Sequence, residues 1–343
     1  MSKPGLGRAE ACANIALAKY WGKSERGDNL TAVPSLSLTL DALRTRTEVR
    51  FDDEAKEDSL VLGNENVEGR PLLRVSELLD RFRHLSGENR RATVTSENNF
   101  PTAAGLASSA SGFAALSVAA GMASGLNTGL NERVGMLSSQ ARKSSASAAR
   151  SLFEGFATLG ANEDEGMGFL PANHWDVAMV VAVIASGPKS VGSTGGMVHT
   201  KATSPYYSAW ETSAPRVYEE VKSGVLRRDF AQVAESMEHS TRLMHATMLT
   251  SVPPVVYLKG PTIELMHAIS AQRAGGQPVA YTMDAGPNVK VFTLGSHVEK
   301  VVSFLQDFSG VESTIVCRPG PAASTLSLEG SLSAAVRDDR YES

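Results

Sequence analysis

The residues best suited to chemistry in this chain are those that can hold phosphate. Residues 97–121, ENNFPTAAGLASSASGFAALSVAAG, run from an extended approach ended by Pro101, through a turn at Gly105, to Ser108, Ser109 and Ser111 at the head of an Ala-rich segment. This reads as a loop entering a helix N-terminus. Small residues admit a ligand close to the backbone, the first helical N–H groups lack partners, and the helix dipole adds positive charge, which together favour an anion. The same composition also suits a small-residue helix packed in a tight core. Lys19-Tyr20-Trp21-Gly22-Lys23 offers a cationic floor for a phosphorylated or carboxylate substrate, or a solvated lysine pair beside an aromatic lid. Residues 144–151, SSASAARS, fit a second anion nest with Arg150 as a bidentate clamp, or a helix cap with an exposed arginine. Asp284 follows an apolar strand directly, as a general base facing a cleft would, or as an Asx-turn residue capping its own backbone. The seven histidines are scattered, and His239 and His245, six apart on one helical pattern, read as structural.

Period and punctuation predict the elements that would position these groups. Strands are expected over 11–20, 35–40, 44–51, 59–62, 92–96 and 153–159, and helices over 72–85, 105–124 and 130–143, with Arg74 on the first helix. Residues 162–171 read as an acidic, Gly-rich surface excursion, and 53–58 and 162–168 as candidate mobile loops. In the second half, strands are expected over 175–185, 279–283, 289–294 and 313–317, and helices over 206–223, 228–247, 262–272 and 297–308. Residues 186–203 are Gly/Ser/Thr-rich. The order β-α-β-β-α-β, with extra helices inserted, suits a ferredoxin-like layer. The domains predicted are 1–172 and 173–320, followed by a weakly ordered tail over 321–343 in which 324–332 can form a last strand.

Composition narrows the class. The 343 residues allow two domains, and 42% hydrophobic with 20% charged residues is ordinary for a globular chain. A net charge of −4 gives no global attraction to nucleic acid or an anionic membrane. Two cysteines, Cys12 and Cys317, make neither a disulfide framework nor a zinc motif. Residues 1–10 lack the apolar core of a signal peptide, so a cytoplasmic protein is expected.

Several stretches, in order, resemble one family. Pro101-Thr-Ala-Ala-Gly105-Leu-Ala-Ser108-Ser109-Ala110 resembles the phosphate loop of the GHMP kinase superfamily. Asn14-Ile-Ala-Leu-Ala-Lys19-Tyr-Trp-Gly-Lys23 is similar to the N-terminal signature of the diphosphomevalonate decarboxylase family, as are residues 98–109, Ser193-Thr-Gly-Gly-Met197 and Tyr281-Thr-Met-Asp-Ala-Gly-Pro-Asn288. The resemblance covers about residues 10–318. It implies an α+β, two-domain GHMP kinase-like fold, with a ribosomal-protein-like N-terminal domain and a ferredoxin-like C-terminal domain.

It also implies a reaction: ATP and mevalonate 5-diphosphate give ADP, phosphate, carbon dioxide and isopentenyl diphosphate. By the same resemblance Asp284, Arg150 and Lys19 are catalytic, and Tyr20, Trp21, Lys23, Arg74, Ser145, Ser147, Ser193 and Thr200 bind substrate. Asn99, Pro101, Ala104, Gly105, Leu106, Ala107, Ser108 and Ser109 bind ATP, and Ser108 or Ser109 reaches Mg²⁺. The implied partners are these substrates and a second copy in a homodimer, with no nucleic acid and no membrane. The chain departs from the family in two places, at three positions: Ser144 and Ala146 stand where it carries glycines, and Glu154 where it commonly has Gly. The first departure leaves a 5-phosphate substrate open, beside a 3-kinase activity without decarboxylation and, more distantly, a non-catalytic sensor.

Overall fold

The computed structural model describes residues 5–100, 108–126, 130–185, 191–329 and 332. Its N-terminal half contains β1 (Leu6–Ala18), β2 (Ser35–Asp52), β3 (Ser59–Leu62), β4 (Glu65–Asn66), α1 (Arg70–Ser86), β5 (Arg91–Asn98), α2 (Ser108–Ala123), α3 (Leu130–Ser144), a 3-10 helix (Ala146–Leu152), β6 (Phe156–Leu159) and β7 (Met167–Leu170). The C-terminal half contains β8 (Val177–Val183), α4 (Ser193–Thr203), α5 (Tyr207–Arg227), α6 (Phe230–Leu249), α7 (Gly260–Ala274), β9 (Val279–Thr282), β10 (Val289–Leu294), α8 (Val298–Gln306), β11 (Ser313–Cys317) and β12 (Ser324–Thr325).

The second sheet has order β11-β8-β10-β9, with these neighbours antiparallel, as the ferredoxin-like expectation requires. The first has order β12-β1-β2-β5-β3-β4, with β6 and β7 extending from β2. Four expectations are revised. The strands expected at 35–40 and 44–51 are one strand, β2, whose residues 40–43 bulge out of register with β1 between the pairs Cys12–Arg44 and Asn14–Thr39. The freed groups are taken by the chain after β11: Asp41 N–H donates to Arg318 O, and Gly320 N–H to Thr39 O. The excursion at 162–171 contains β7 and is anchored, since Asp164 pairs with the buried Arg142. In the expected tail, β12 pairs with β1, and Arg8 donates to the carbonyls of Ser327 and Glu329. Asp58, in the other expected mobile loop, is enclosed and ion-paired to Arg83.

Packing follows from the residue pattern. Residues of β8 alternate between two cores: Met179 and Val181 face a cluster with Ile15, Leu38, Met237 and Phe292, while Val180 and Ala182 face Leu265, Val291 and Leu305. Burial on both faces explains its unbroken apolar run. The first of these clusters joins strands from both sheets. The Ala-rich α2 is buried nearly all round, because β1 lies directly on it: a Cβ at Gly7 would stand 2.1 Å from Ala119 O.

α6 ties the two halves at the ends of β1 and β9. Ser240 Oγ accepts from Lys19 N at 2.9 Å, and Thr241 Oγ1 lies 3.0 Å from Thr282 Oγ1. His245 hydrogen-bonds the Met283 backbone, and burial, with Lys19 nearby, pushes its pKa down to about 4.

Two outcomes test this packing. Met179→Ala should destabilise the protein by about 2–5 kcal/mol. Because the cluster is shared, tryptophan fluorescence and far-ultraviolet dichroism in a urea titration should shift together. His245 is neutral when folded, so its contribution is complete above its ordinary value of 6.5 and is lost as pH falls towards about 4. The loss amounts to about 3 kcal/mol, and His245→Asn should flatten the fall of melting temperature over that window.

Candidate active site

A cleft of about 450 Å³ opens between the halves, lined by Lys19, Lys23, Arg70, Arg74, Arg150 and a single carboxylate, Asp284. The route of β1 into it depends on Gly22, which has φ +111°, and where a Cβ would meet Tyr207 OH at 1.7 Å.

Asp284 begins the turn after β9. That turn is locked by Asn288, whose Oδ1 accepts from Ile184 N at 2.8 Å and Ala185 N at 3.1 Å. The Asp284 carboxylate is held by ammonium groups: Lys19 Nζ is 2.6 Å from Oδ1 and Lys290 Nζ is 3.4 Å from Oδ2. Burial would raise its pKa, but the two lysines override this and hold it well below the usual carboxylate range. Burial pushes Lys19 down to about 8, against the pull of Asp284. The Asx-turn alternative is thereby answered by a carboxylate facing a cleft.

Arg150, in the 3-10 helix, is buried among neutral oxygens. Its Nε donates to Ser37 Oγ at 2.9 Å, Nη1 to Ser35 Oγ at 2.6 Å and Nη2 to Asn14 Oδ1 at 3.2 Å. Asn14 is fixed in turn by donating to Ser151 Oγ and Ser147 O. The Tyr20 ring lies over the guanidinium, 5.7 Å away, and Arg150 makes no ion pair among the described residues. A charge desolvated with only neutral partners is poorly compensated. The cage therefore presents a cation in need of an anion.

The N-termini of α2 and α4 supply further donors. Ser108 and Ser109 open the first, Ser193 and Thr194 the second, and all four line the cleft. Ser145 Oγ approaches Ser109 Oγ at 3.5 Å and Ser147 Oγ at 3.3 Å, joining the two serine stretches. Arg74 reaches from α1 over the Phe113 ring and donates to Ser144 O at 2.7 Å. Lys23 is brought down to about 8 by burial and by Arg142 and Arg74. A smaller cavity of about 180 Å³ adjoins the head of α2 and is lined by Leu60, Val75, Val94, Phe113 and Leu116.

Of the residues expected from sequence, Lys19, Tyr20, Trp21, Lys23, Arg74, Ser108, Ser109, Ser145, Ser147, Arg150, Ser193 and Asp284 all line the cleft. Two do not. Thr200 is enclosed within α4, and Asn99 braces the bulge of β2, accepting from Arg44 N and donating to Ala42 O. Pro101, Ala104, Gly105, Leu106 and Ala107 lie outside the described residues. Lys290, Asn14 and Arg70 were not singled out. Lys290 carried a signal: a lysine inside the apolar strand VKVFTL is costly unless paired. Arg70, at the start of a helix, carried none.

For Mg²⁺ the donor set is hydroxylic. Among the described residues no group of three His, Cys, Asp or Glu is placed to hold a metal. Ser108 and Ser109 offer oxygens of the kind a hard cation accepts beside water and phosphate.

Comparison with known proteins identifies the family. Residues 11–168 match the diphosphomevalonate decarboxylase-like N-terminal domain, and residues 179–337 the mevalonate 5-diphosphate decarboxylase C-terminal domain. The diphosphomevalonate decarboxylase of Saccharomyces cerevisiae is 36% identical over 327 residues, covering 88% of this chain and 81% of that protein. The crystal structure of mevalonate diphosphate decarboxylase from Staphylococcus aureus superimposes with a TM-score of 0.87 at 34% identity, over 94% of this chain and 98% of that one. A structure of MDDEF in complex with MVAPP, AMPPCP and magnesium gives 0.86 at 38% identity, over 94% and 98%. Two domain matches in series, a relative aligned along most of both chains and a shared fold show that the chain belongs to the diphosphomevalonate decarboxylase family.

Proposed function

We propose that this protein uses ATP and Mg²⁺ to convert mevalonate 5-diphosphate into isopentenyl diphosphate, ADP, phosphate and carbon dioxide. The observation that carries the reading is Arg150, buried with no acidic partner among the described residues, on the same cleft as the paired Asp284. A substrate bearing a carboxylate and a diphosphate supplies the missing negative charge.

Phosphoryl transfer needs alignment and charge neutralisation more than covalent help. Asp284, kept ionised, accepts the hydrogen bond of the 3-hydroxyl and aims its oxygen at the γ-phosphate; its low pKa suits it to orienting first and to taking the proton late, once the new O–P bond has made the hydroxyl acidic, and then passing it to solvent. The head of α2, with Ser108 and Ser109, offers N–H and hydroxyl donors to the ATP phosphates. The adjoining apolar cavity has the lining a nucleobase needs. Mg²⁺ held beside Ser108 or Ser109 neutralises phosphate charge.

Once the 3-phosphate forms, its C–O bond breaks with the electron pair leaving on phosphate. Lys19 stabilises that charge. The bond to the carboxylate then breaks, its electrons form the double bond, and carbon dioxide departs from beside Arg150. Lys23, Arg70 and Arg74 gather at the Ser144–Ser147 end and make no ion pair among the described residues, which favours a diphosphate there.

In this reading residues 1–172 hold the nucleotide and residues 173–320 bring Asp284 and Ser193 to it. The homodimer rests on the resemblance alone, and the cytoplasmic location on cysteine usage and the composition of residues 1–10. No helix among the described residues is long and apolar enough to cross a membrane.

The test is an ATP-coupled assay with mevalonate, its 5-phosphate and its 5-diphosphate, recording ADP and carbon dioxide. Equal amounts from the diphosphate alone are expected. Equal amounts from the monophosphate would change the substrate, ADP alone would make the protein a kinase, and no turnover would leave a sensor. Asp284→Asn should lower kcat by about 10²–10⁴-fold while nucleotide affinity by calorimetry changes little. Lys19 and Lys23 both ionise near about 8, so kcat/KM should fall as pH rises through that value. In Lys23→Met the remaining alkaline limb should follow Lys19 alone.

A further inference from the structure

Lys290 shares Asp284 with Lys19 but occupies a different place. Lys19 lines the cleft, where an anionic substrate competes for its ammonium group. Lys290 lies on β10, opposite Thr282 of β9 and Val181 of β8, with its side chain fully enclosed and away from the cleft lining. By strand alternation it shares a face with Phe292, a member of the core cluster common to both sheets. The pattern asks for an apolar side chain there. A buried ammonium costs several kcal/mol unless it is paired, and Lys290 makes an ion pair with Asp284 Oδ2 at 3.4 Å.

We propose that Lys290 is a positioning residue of the reaction, holding Asp284 ionised and aimed at the substrate hydroxyl while Lys19 is drawn towards phosphate. Lys19 and Lys290 meet opposite oxygens of the carboxylate, so loss of one contact leaves the other to fix its rotamer and charge. The remaining groups around Asp284 cannot replace Lys290. His245, from α6, is neutral at working pH, Tyr20 is uncharged, and Arg150 is turned to Ser35, Ser37 and Asn14. The opposing lysines contribute to the depressed carboxyl pKa, in accord with this division of labour.

The inference rests on the reading of Asp284 as the residue that engages the substrate hydroxyl. It is tested with Lys290→Met, which keeps the length and removes the charge. In the ATP-coupled assay with mevalonate 5-diphosphate, kcat should fall about tenfold or more at neutral pH with the KM for ATP little changed. The acid limb of kcat should move upwards, because removing a cation raises the carboxyl pKa. Lys290→Arg, retaining the charge, should return the acid limb towards that of the parent.

A Lys290→Met enzyme with the parent kcat and acid limb overturns the proposal, as does one that is merely less heat-stable with an unmoved limb. Should the variant not fold, a crystal structure of the parent with mevalonate 5-diphosphate and a non-hydrolysable ATP analogue decides. Lys290 within ion-pair distance of Asp284 is expected, and Lys290 turned onto the ligand or away from Asp284 overturns the proposal. A parent releasing neither ADP nor carbon dioxide removes the underlying reading as well. An active parent matched by Lys290→Met removes only this inference.

Discussion

Asp284 is the single carboxylate against which Lys19 and Lys290 are both buried, with Arg150 caged beside them by serine and asparagine oxygens. Removing cations from water without equal anions nearby is among the more expensive things a fold can do. It is sustained here by elements anchored for other reasons. β1 is pressed onto α2, β8 is packed on both faces, and α6 hydrogen-bonds both the Lys19 backbone and the β9 side chain before Asp284. The local charge imbalance makes the site a receptor for anions in a protein whose overall charge is −4. A ligand that repairs the imbalance stabilises the folded state by mass action.

The same constraint explains a latch at the rim. Arg142 is fully buried on α3, yet its partners Asp28 and Asp164 sit in surface loops. Its Nη1 donates to Asp28 O at 2.5 Å, and its own carbonyl accepts from Asn29 Nδ2 at 2.7 Å. It therefore grips the connection between β1 and β2, the segment that delivers Lys23 and Asn29 to the cleft. Holding a charged loop by a buried arginine fixes the geometry of the rim at the cost of desolvating the guanidinium, which five N–H donors in a rigid fork offset by reaching several oxygens at once.

Much of this was legible in the sequence, for identifiable reasons. The ferredoxin-like order followed from period-two strands and apolar helices, and most cleft residues lay in short ordered motifs whose small or charged residues had few other uses. What escaped was set by tertiary contact. The bulge in β2 is stabilised by a segment nearly 280 residues later in the chain, Arg318–Gly320, so residues 40–43 looked like a break between two strands. A strand near β12 was legible in the sequence, but its place comes from the edge of β1 and from Arg8. Thr200 and Asn99 came with the resemblance; Thr200 is buried and outside the cleft lining, and the Asn99 side chain is taken up by Arg44 N and Ala42 O, neither of which spacing encodes. Lys290 shows the reverse: an irregularity in an otherwise apolar strand was itself the signal of a paired charge.

The replaced glycines can now be weighed on geometry. Glycine is demanded where φ is positive or where a Cβ would collide. Neither Ser144 nor Ala146 has positive φ, and Ser145 between them is extended at φ −150°. Ser144 uses its hydroxyl to accept from Arg81 at 2.7 Å and its carbonyl to accept from Arg74 at 2.7 Å. Ala146 packs with Ala149 and Leu159 beneath Tyr20. The two side chains are therefore accommodated by the backbone as it stands, and one of them adds an anchor between α1 and α3. Crowding of the terminal phosphate would have to come from the Ala146 methyl alone, which is 1% exposed. Against it stand the cationic groups of Lys23, Arg70 and Arg74 at the same end of the cleft. Three cations converging on a cleft with one lining carboxylate favour the substrate with the longer phosphate chain.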